Sequence, residues 1–247
     1  MQTLSKKIKL VALDMDGTVL NSNGEISTEN AEAIKKVQKK GVTVVFSTGR
    51  TLLTCKTFAE ALNLSSYLIT VNGSEIWDSE GNLLERNFIE TMSMDWMWQL
   101  SRKHQIPFWA VGDDRIWDNE MPDDLEAVQW LKGRFEFGDN PLRDQVMKEI
   151  EKRGEFEVTN SSPSNLEVNA LGVNKAAAIQ KVCSYMDLSM DEVMTMGDSL
   201  NDLAMIKQAG LGVAMGNAQR TVKEAANWVT ATNDHHGVAV ALEKWVL

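Results

Sequence analysis

A short apolar run followed at once by two carboxylates limits what this chain can become. Ile8 to Leu13 reads IKLVAL, with lysines before it and Asp14-Met15-Asp16-Gly17-Thr18 directly after it. A run that short and that apolar is a strand buried on both faces, which needs a sheet with helices on each side. The following residues repeat the theme. Ser27 or Thr28 caps a helix running to about Lys40, with Ala31, Ile34 and Val37 on one face. Its glutamates gather near the start and its lysines near the end, as the helix dipole favours, and Gly41 stops it. Val42 to Phe46 (VTVVF) is a second buried strand, Thr51 to Asn63 a helix, and Tyr67 to Val71 a third strand. The order βαβαβ predicts a parallel sheet.

After Asn72-Gly73 the pattern changes. Glu75–Asp78 and Leu83–Phe88 read as a hairpin around Ser79-Glu80-Gly81-Asn82. A helix (Ser93–Gln105), two strands (Pro107–Val111, Arg115–Trp117), a helix (about Pro141–Arg153) and two more strands (Glu155–Thr159, Leu166–Asn169) follow. The stretch Met121–Gly133 is predicted to hold another short helix. This α+β order marks an inserted domain. Five of the eight tryptophans fall in it, at 96, 98, 109, 117 and 130. They are assigned to its core in preference to a ligand platform.

From Lys175 the alternation resumes: helix Lys175–Met186, strand Val193–Met196, helix Leu200–Gln208, strand Leu211–Ala214, helix Ala218–Ala225, short strand Trp228–Thr230 and helix Gly237–Val246. The fold expected is α/β, a Rossmann-like doubly wound parallel sheet with an inserted α+β domain. Residues 1–86 and 173–247 would form the core and 87–172 the insertion.

The net charge of −10 argues against a nucleic-acid partner, which would favour a basic stripe. An acidic chain that handles an anion must build a local positive site, which screening over roughly 8 Å makes workable. No run approaches the ~20 apolar residues of a membrane span, and no apolar leader precedes the first strand. A cytoplasmic protein is expected. Cys55 and Cys183 lack any C-x-x-C neighbour and read as idle thiols of a reducing compartment.

Four short motifs carry chemistry, and three follow a predicted strand, at the sheet edge where open α/β folds bind ligands. Asp14 and Asp16 stand two residues apart beyond a buried strand, and Gly17 lets the chain turn. One carboxylate can attack phosphorus while the other moves protons. Ser47-Thr48-Gly49-Arg50 offers a hydroxyl and successive N–H groups at a strand-to-helix junction, an anion cradle that a plain helix cap explains equally well. Lys175 is a point charge suited to a phosphoryl oxygen. Gly197-Asp198-Ser199-Leu200-Asn201-Asp202 sets carboxylates and an amide on a loop entering a helix, hard oxygen ligands that suit magnesium.

In this order the motifs resemble those of the haloacid dehalogenase superfamily, and more closely its Cof-type subfamily with a large C2-type α/β cap between the second and third motifs. Asn72-Gly73-Ser74-Glu75-Ile76, Leu166-Glu167-Val168, Val213-Ala214-Met215-Gly216-Asn217-Ala218 and Gly237-Val238-Ala239 add to the likeness, which covers essentially the whole chain. The resemblance implies a phosphatase with Asp14 as nucleophile and magnesium ligand. Asp16 would be the general acid/base and give the metal its backbone carbonyl. Met15, Thr48, Gly49, Lys175 and Asn201 would contact the phosphoryl group, Asp198 would be the second metal carboxylate, and Asp202 and Arg50 would support the site. Magnesium and Lys175 would bring three positive charges against two from Asp14 and Asp198.

The substrate implied is a small phosphorylated metabolite, with sugar phosphates the default class. A phosphosugar mutase, which hands the phosphoryl group to a second sugar, and a non-catalytic binder are the alternatives. Arg102, His104, Arg115, Lys132 and Arg134 are assigned to solvated faces of the insertion, and His235-His236 to an exposed loop. Oligomeric state is not legible in the sequence.

Overall fold

The computed structural model describes residues 7–247. In chain order the core's first part holds β1 (Leu10–Leu13), α1 (Thr28–Lys39), β2 (Thr43–Ser47), α2 (Leu52–Ala61), β3 (Leu68–Thr70), β4 (Glu75–Trp77) and β5 (Leu83–Arg86). The insertion holds α3 (Thr91–His104), β6 (Phe108–Gly112), β7 (Ile116–Asp118), β8 (Trp130–Glu136), α4 (Asn140–Glu151), β9 (Phe156–Thr159) and β10 (Asn165–Ala170). The chain then returns with α5 (Lys175–Tyr185), β11 (Val193–Gly197), α6 (Leu203–Gln208), β12 (Leu211–Ala214), α7 (Arg220–Ala225), β13 (Trp228–Val229) and α8 (Gly237–Trp245).

The eight-stranded sheet runs β13-β12-β11-β1-β2-β3-β4-β5. Its first six strands are parallel, and β4 and β5 add an antiparallel edge. β1 lies between β2 and β11, so the strand order reverses there. Such a reversal opens a crevice beyond the strands' carboxyl ends. The alternation of β1 shows how both faces are covered. Val11 and Leu13 pack with Ile34 and Val37 of α1, Val222 of α7, and Val238 and Leu242 of α8. Leu10 and Ala12 pack with Ile179 and Val182 of α5 and Met205 of α6.

The second sheet, β7-β6-β8-β10-β9, is antiparallel throughout. One face packs on α3 and α4 through Met94, Met97, Phe108, Phe135, Val146, Ile150 and Val168. The other face closes over the crevice of the first sheet.

The short helix expected over Met121–Gly133 is absent. Leu125–Ala127 form a single 3-10 turn, and Trp130 already belongs to β8. Pairing of β8 with both β6 and β10 overrides the local helical pattern. The helix expected from Leu200 begins as a 3-10 turn, with α6 proper starting at Leu203.

Ile34 is fully buried between α1 and the sheet. Ile34→Ala is expected to cost about 2–5 kcal/mol in urea unfolding.

Candidate active site

The four motifs meet over the carboxyl ends of β1, β2 and β11. Register aligns them: Asp14 N–H donates to the Met196 carbonyl at 3.0 Å, and Met215 N–H to the Gly197 carbonyl at 3.0 Å. Gly17 has φ +76°, and a Cβ there would lie 2.7 Å from Asp198 Oδ2. The first and fourth motifs therefore touch only because residue 17 has no side chain.

At the centre is Lys175, the first residue of α5 and fully buried. A cation at a helix N-terminus is unfavourable by itself. Here its Nζ donates to Asp14 Oδ1 and Asp202 Oδ1, both at 2.7 Å. Burial disfavours the ammonium, yet the two carboxylates outweigh it and raise its pKa. Asp202 is saturated: its other oxygen accepts the N–H groups of Asp198 (2.9 Å) and Ser199 (3.0 Å). Side chain and loop thus fix each other, and α5 is set by an independent cap, Asn174 Oδ1 on Ala177 N–H at 3.0 Å.

Asp14, Asp198 and Asp202 each place a carboxylate oxygen within 4.8 Å of the others. Burial first, then Asp202, pushes Asp198 up to about 7. Burial, with Asp202 and Asp198 adding to it, likewise raises Asp14 well above the carboxylate range despite Lys175. Asp198 Oδ1 is buried and makes no hydrogen bond among the described residues. One lysine against three carboxylates leaves an excess of negative charge beside an orphaned acceptor. This all-oxygen donor set fits a hard divalent cation.

Residues 47–50, expected to cradle a phosphoryl group, form a tightly held loop. The Thr48 carbonyl accepts Asn72 N–H at 2.9 Å, the Arg50 carbonyl accepts Val71 N–H at 2.9 Å, and Arg50 N–H is on Thr48 Oγ1 at 3.1 Å. The Gly49 carbonyl accepts Lys132 Nζ at 2.8 Å. Among the described residues, no hydrogen bond uses the N–H of Gly49 or of Met15. Thr48 and Met15 are buried, and a Cβ at Gly49 would stand 2.9 Å from Asn72 Oδ1, so a larger residue there would have to displace the Asn72 amide. Asn201 is buried too, with Nδ2 on Asn72 Oδ1 at 3.3 Å. Asp16 is held elsewhere: Arg50 grips both its oxygens, Nε to Oδ2 at 2.8 Å and Nη2 to Oδ1 at 2.6 Å.

A cavity of about 660 Å³ opens over Asp14, Asp16, Gly49, Arg50, Asp198 and Asn201, roofed by the insertion. The roof joins the floor through buried polar contacts that the sequence reading missed. Lys132, assigned to a solvated face, is 5% exposed and pairs with Glu167, 3% exposed, at 3.3 Å. Glu167 accepts from Asn72 Nδ2 at 2.7 Å and Ser161 Oγ at 3.1 Å. Burial opposes its charge, but Lys132, Asn72, Arg134 and Ser161 hold the carboxyl below its ordinary range. Asn169 Nδ2 donates to the Val71 carbonyl and Ser74 Oγ, each at 3.0 Å. It pins a turn in which Val71 (φ 51°) and Asn72 (φ 60°) are left-handed, a conformation unfavourable for a β-branched residue. The signal was a carboxylate within the apolar strand LEV, since a buried charge requires a partner.

Other assignments resolve simply. His104 and Lys103 both meet Glu149, at 3.2 and 2.9 Å, tying α3 to α4. Cys55 and Cys183 are free and buried, and burial pushes both thiols up to about 11.

The family model for haloacid dehalogenase-like hydrolases matches residues 11–137 and 120–242. The chain belongs to this family. It is 55% identical over 240 residues to 5-amino-6-(5-phospho-D-ribitylamino)uracil phosphatase YcsE of Bacillus subtilis, covering 97% of this chain and 96% of that one. An HMP-PP phosphatase of Yersinia pseudotuberculosis is 27% identical, with 96% and 95% covered. A solved haloacid dehalogenase-like hydrolase from B. subtilis superposes with a TM-score of 0.89 at 26% identity, covering 97% of this chain and all of that one. The chain is a phosphatase of this family acting on a small phosphorylated metabolite.

Two variants probe the buried charges. Lys132→Met leaves Glu167 buried without its cation and is expected to destabilise by about 3–5 kcal/mol in urea. Because the folded pKa of Glu167 is lowered, its contribution is present at neutral pH and lost as acid drives through that pKa; the variant should show a shallower loss of stability on acidification. Asp198→Asn works the other way. A carboxyl raised to about 7 penalises the folded state once ionised, at higher pH, and the penalty fades as pH falls. Metal-free Asp198→Asn is therefore expected to be more stable than the parent at pH 8, by up to about 2 kcal/mol, with the gain vanishing near pH 4.

Proposed function

We propose that the chain hydrolyses 5-amino-6-(5-phospho-D-ribitylamino)uracil, with magnesium, through a phosphoaspartate on Asp14. The observation that carries the mechanism is the Asp14–Lys175 contact of 2.7 Å at the cavity floor. Lys175 occupies one carboxylate oxygen and aims the other at an incoming phosphoryl group. The 55% identity across nearly the full length of both chains supports the substrate.

The residues divide the work. Asp14 attacks phosphorus through its free oxygen. The N–H groups of Met15 and Gly49, the Thr48 hydroxyl and the Asn201 amide receive the phosphoryl oxygens, where charge builds in the transition state. Asp16 gives its proton to the ribityl oxygen as the P–O bond breaks, then takes one from the water that opens the phosphoaspartate and frees inorganic phosphate. Both Asp16 oxygens are on Arg50 as an ion pair, so Asp16 must release one of them and take a proton from solvent before it can deliver one. Asp14, Asp198 and the Asp16 carbonyl would hold the magnesium, with Asp202 supporting Lys175. When bound, the ion neutralises the carboxylates and the phosphoryl oxygens. The insertion excludes water from the first step and selects the leaving group.

Phosphate release from this ester should require magnesium, stop on adding EDTA, and fall to background in Asp14→Asn. Activity unchanged in that variant would remove the phosphoaspartate mechanism. Magnesium should also raise the melting temperature of the parent, with a much smaller rise in Asp198→Asn.

A further inference from the structure

Four of the insertion's five tryptophans serve its hydrophobic core, Trp130 within it and Trp96, Trp98 and Trp117 against it. Trp109 does not. On β6 it alternates with Phe108 and Ala110, which face the helices, so its side chain projects from the opposite face of the sheet. There it is partly buried on the wall of the active-site cavity. Val111 and Ile116 extend this apolar wall, and Ile116 remains 48% exposed.

Arg134 of β8 is the cross-strand partner of Trp109. Its guanidinium carbon lies 5.6 Å from the ring centroid. That distance is within cation–π range, so the guanidinium and the indole stand together on the wall. Its Nη2 donates to Glu136 at 2.8 Å, whereas its Nε is buried and has no acceptor among the described residues. Hydroxyls and amides, among them Thr51, Thr54, Ser161 and Asn165, lie elsewhere on the cavity lining. The cavity therefore has a polar floor at the phosphoryl site, hydrogen-bonding groups on its lining, and one aromatic wall with a guanidinium beside it.

We propose that Trp109 and Arg134 form a subsite for a flat, carbonyl-bearing heterocycle carried by the leaving group. The ring lies against the indole, and a ring carbonyl accepts from the Arg134 guanidinium. A leaving group that ends in a plain polyol leaves the apolar wall wet, which is unfavourable. The proposal deepens the reading above and rests on it for the phosphoester chemistry, but it concerns the ring alone.

The test compares three phosphate esters on the full-length protein with magnesium. These are 5-amino-6-(5-phospho-D-ribitylamino)uracil, flavin mononucleotide as an independent ring-bearing ester, and ribitol 5-phosphate, which keeps the polyol and lacks a ring. Trp109→Ala should lower kcat/KM for ring-bearing esters by about tenfold or more, chiefly through KM, the size of effect a stacked aromatic contact provides. For ribitol 5-phosphate the fall should be much smaller. Trp109→Phe should restore most of the loss, and Arg134→Met should shift the same preference. Equal losses on ring-bearing and ring-free esters, or none on either, overturn the subsite. A parent enzyme that turns over flavin mononucleotide and not the aminouracil ester overturns the substrate reading, while Trp109→Ala still decides the subsite. A parent that accepts only ribitol 5-phosphate overturns both.

Discussion

Lys175 lies 2.7 Å from an oxygen of Asp14 and an oxygen of Asp202, and each of the three groups is intelligible only through the other two. A fully buried ammonium is unfavourable, and a helix N-terminus makes it more so. Two buried carboxylates packed together are unfavourable as well. Brought together they form an ion triad, and Asp202 passes the constraint on by accepting two N–H groups from the loop that carries Asp198. One lysine thereby fixes β1, β11 and α5 relative to one another at the sheet's reversal point. The remaining misfit, Asp198 with an unpartnered oxygen, is the kind of local disagreement that a site retains for a ligand.

Much of this was legible in the sequence because its signals are local. Buried parallel strands are unbroken apolar runs, and the residues that follow such a run must sit at the sheet's carboxyl edge. Asp14, Thr48 and Asp198 are placed by that rule alone, and Lys175 falls beside them because its helix begins there. What escaped depends on contacts between distant segments. Nothing adjacent to Lys132 distinguishes it from a solvated lysine. Its burial follows from pairing β8 with β10, which sets it against Glu167. The same pairing turned part of an expected helix into a strand. Trp109 was grouped with four other tryptophans, because composition cannot tell which face of a strand a ring occupies.

The two sheets divide the recognition problem by physical type. The parallel sheet ends in backbone N–H groups and carboxylates held in place by their own loops, a rigid surface suited to an anion common to many substrates. The antiparallel sheet offers side chains on a flat face, where a change at one position leaves the backbone untouched. Lys132, Glu167 and Asn169 on that face reach the loop of residues 47–50 and its neighbouring turn. Those positions are tied to the first sheet's loops, whereas in the subsite proposed above Trp109 follows the leaving group.

The placement of β1 also sets an order of assembly. Its neighbour β2 follows it closely along the chain, but its other neighbour, β11, lies beyond the whole insertion. A nascent chain can pair β1 on one side only until Val193–Gly197 have been made, and such distant pairing slows folding. During that interval Asp14 has neither Lys175 nor Asp198 beside it. Asp14 is encoded near the start of the chain and gains its ionic partners only after synthesis has passed the last of them, so a truncated product would carry an acidic loop without the assembled triad.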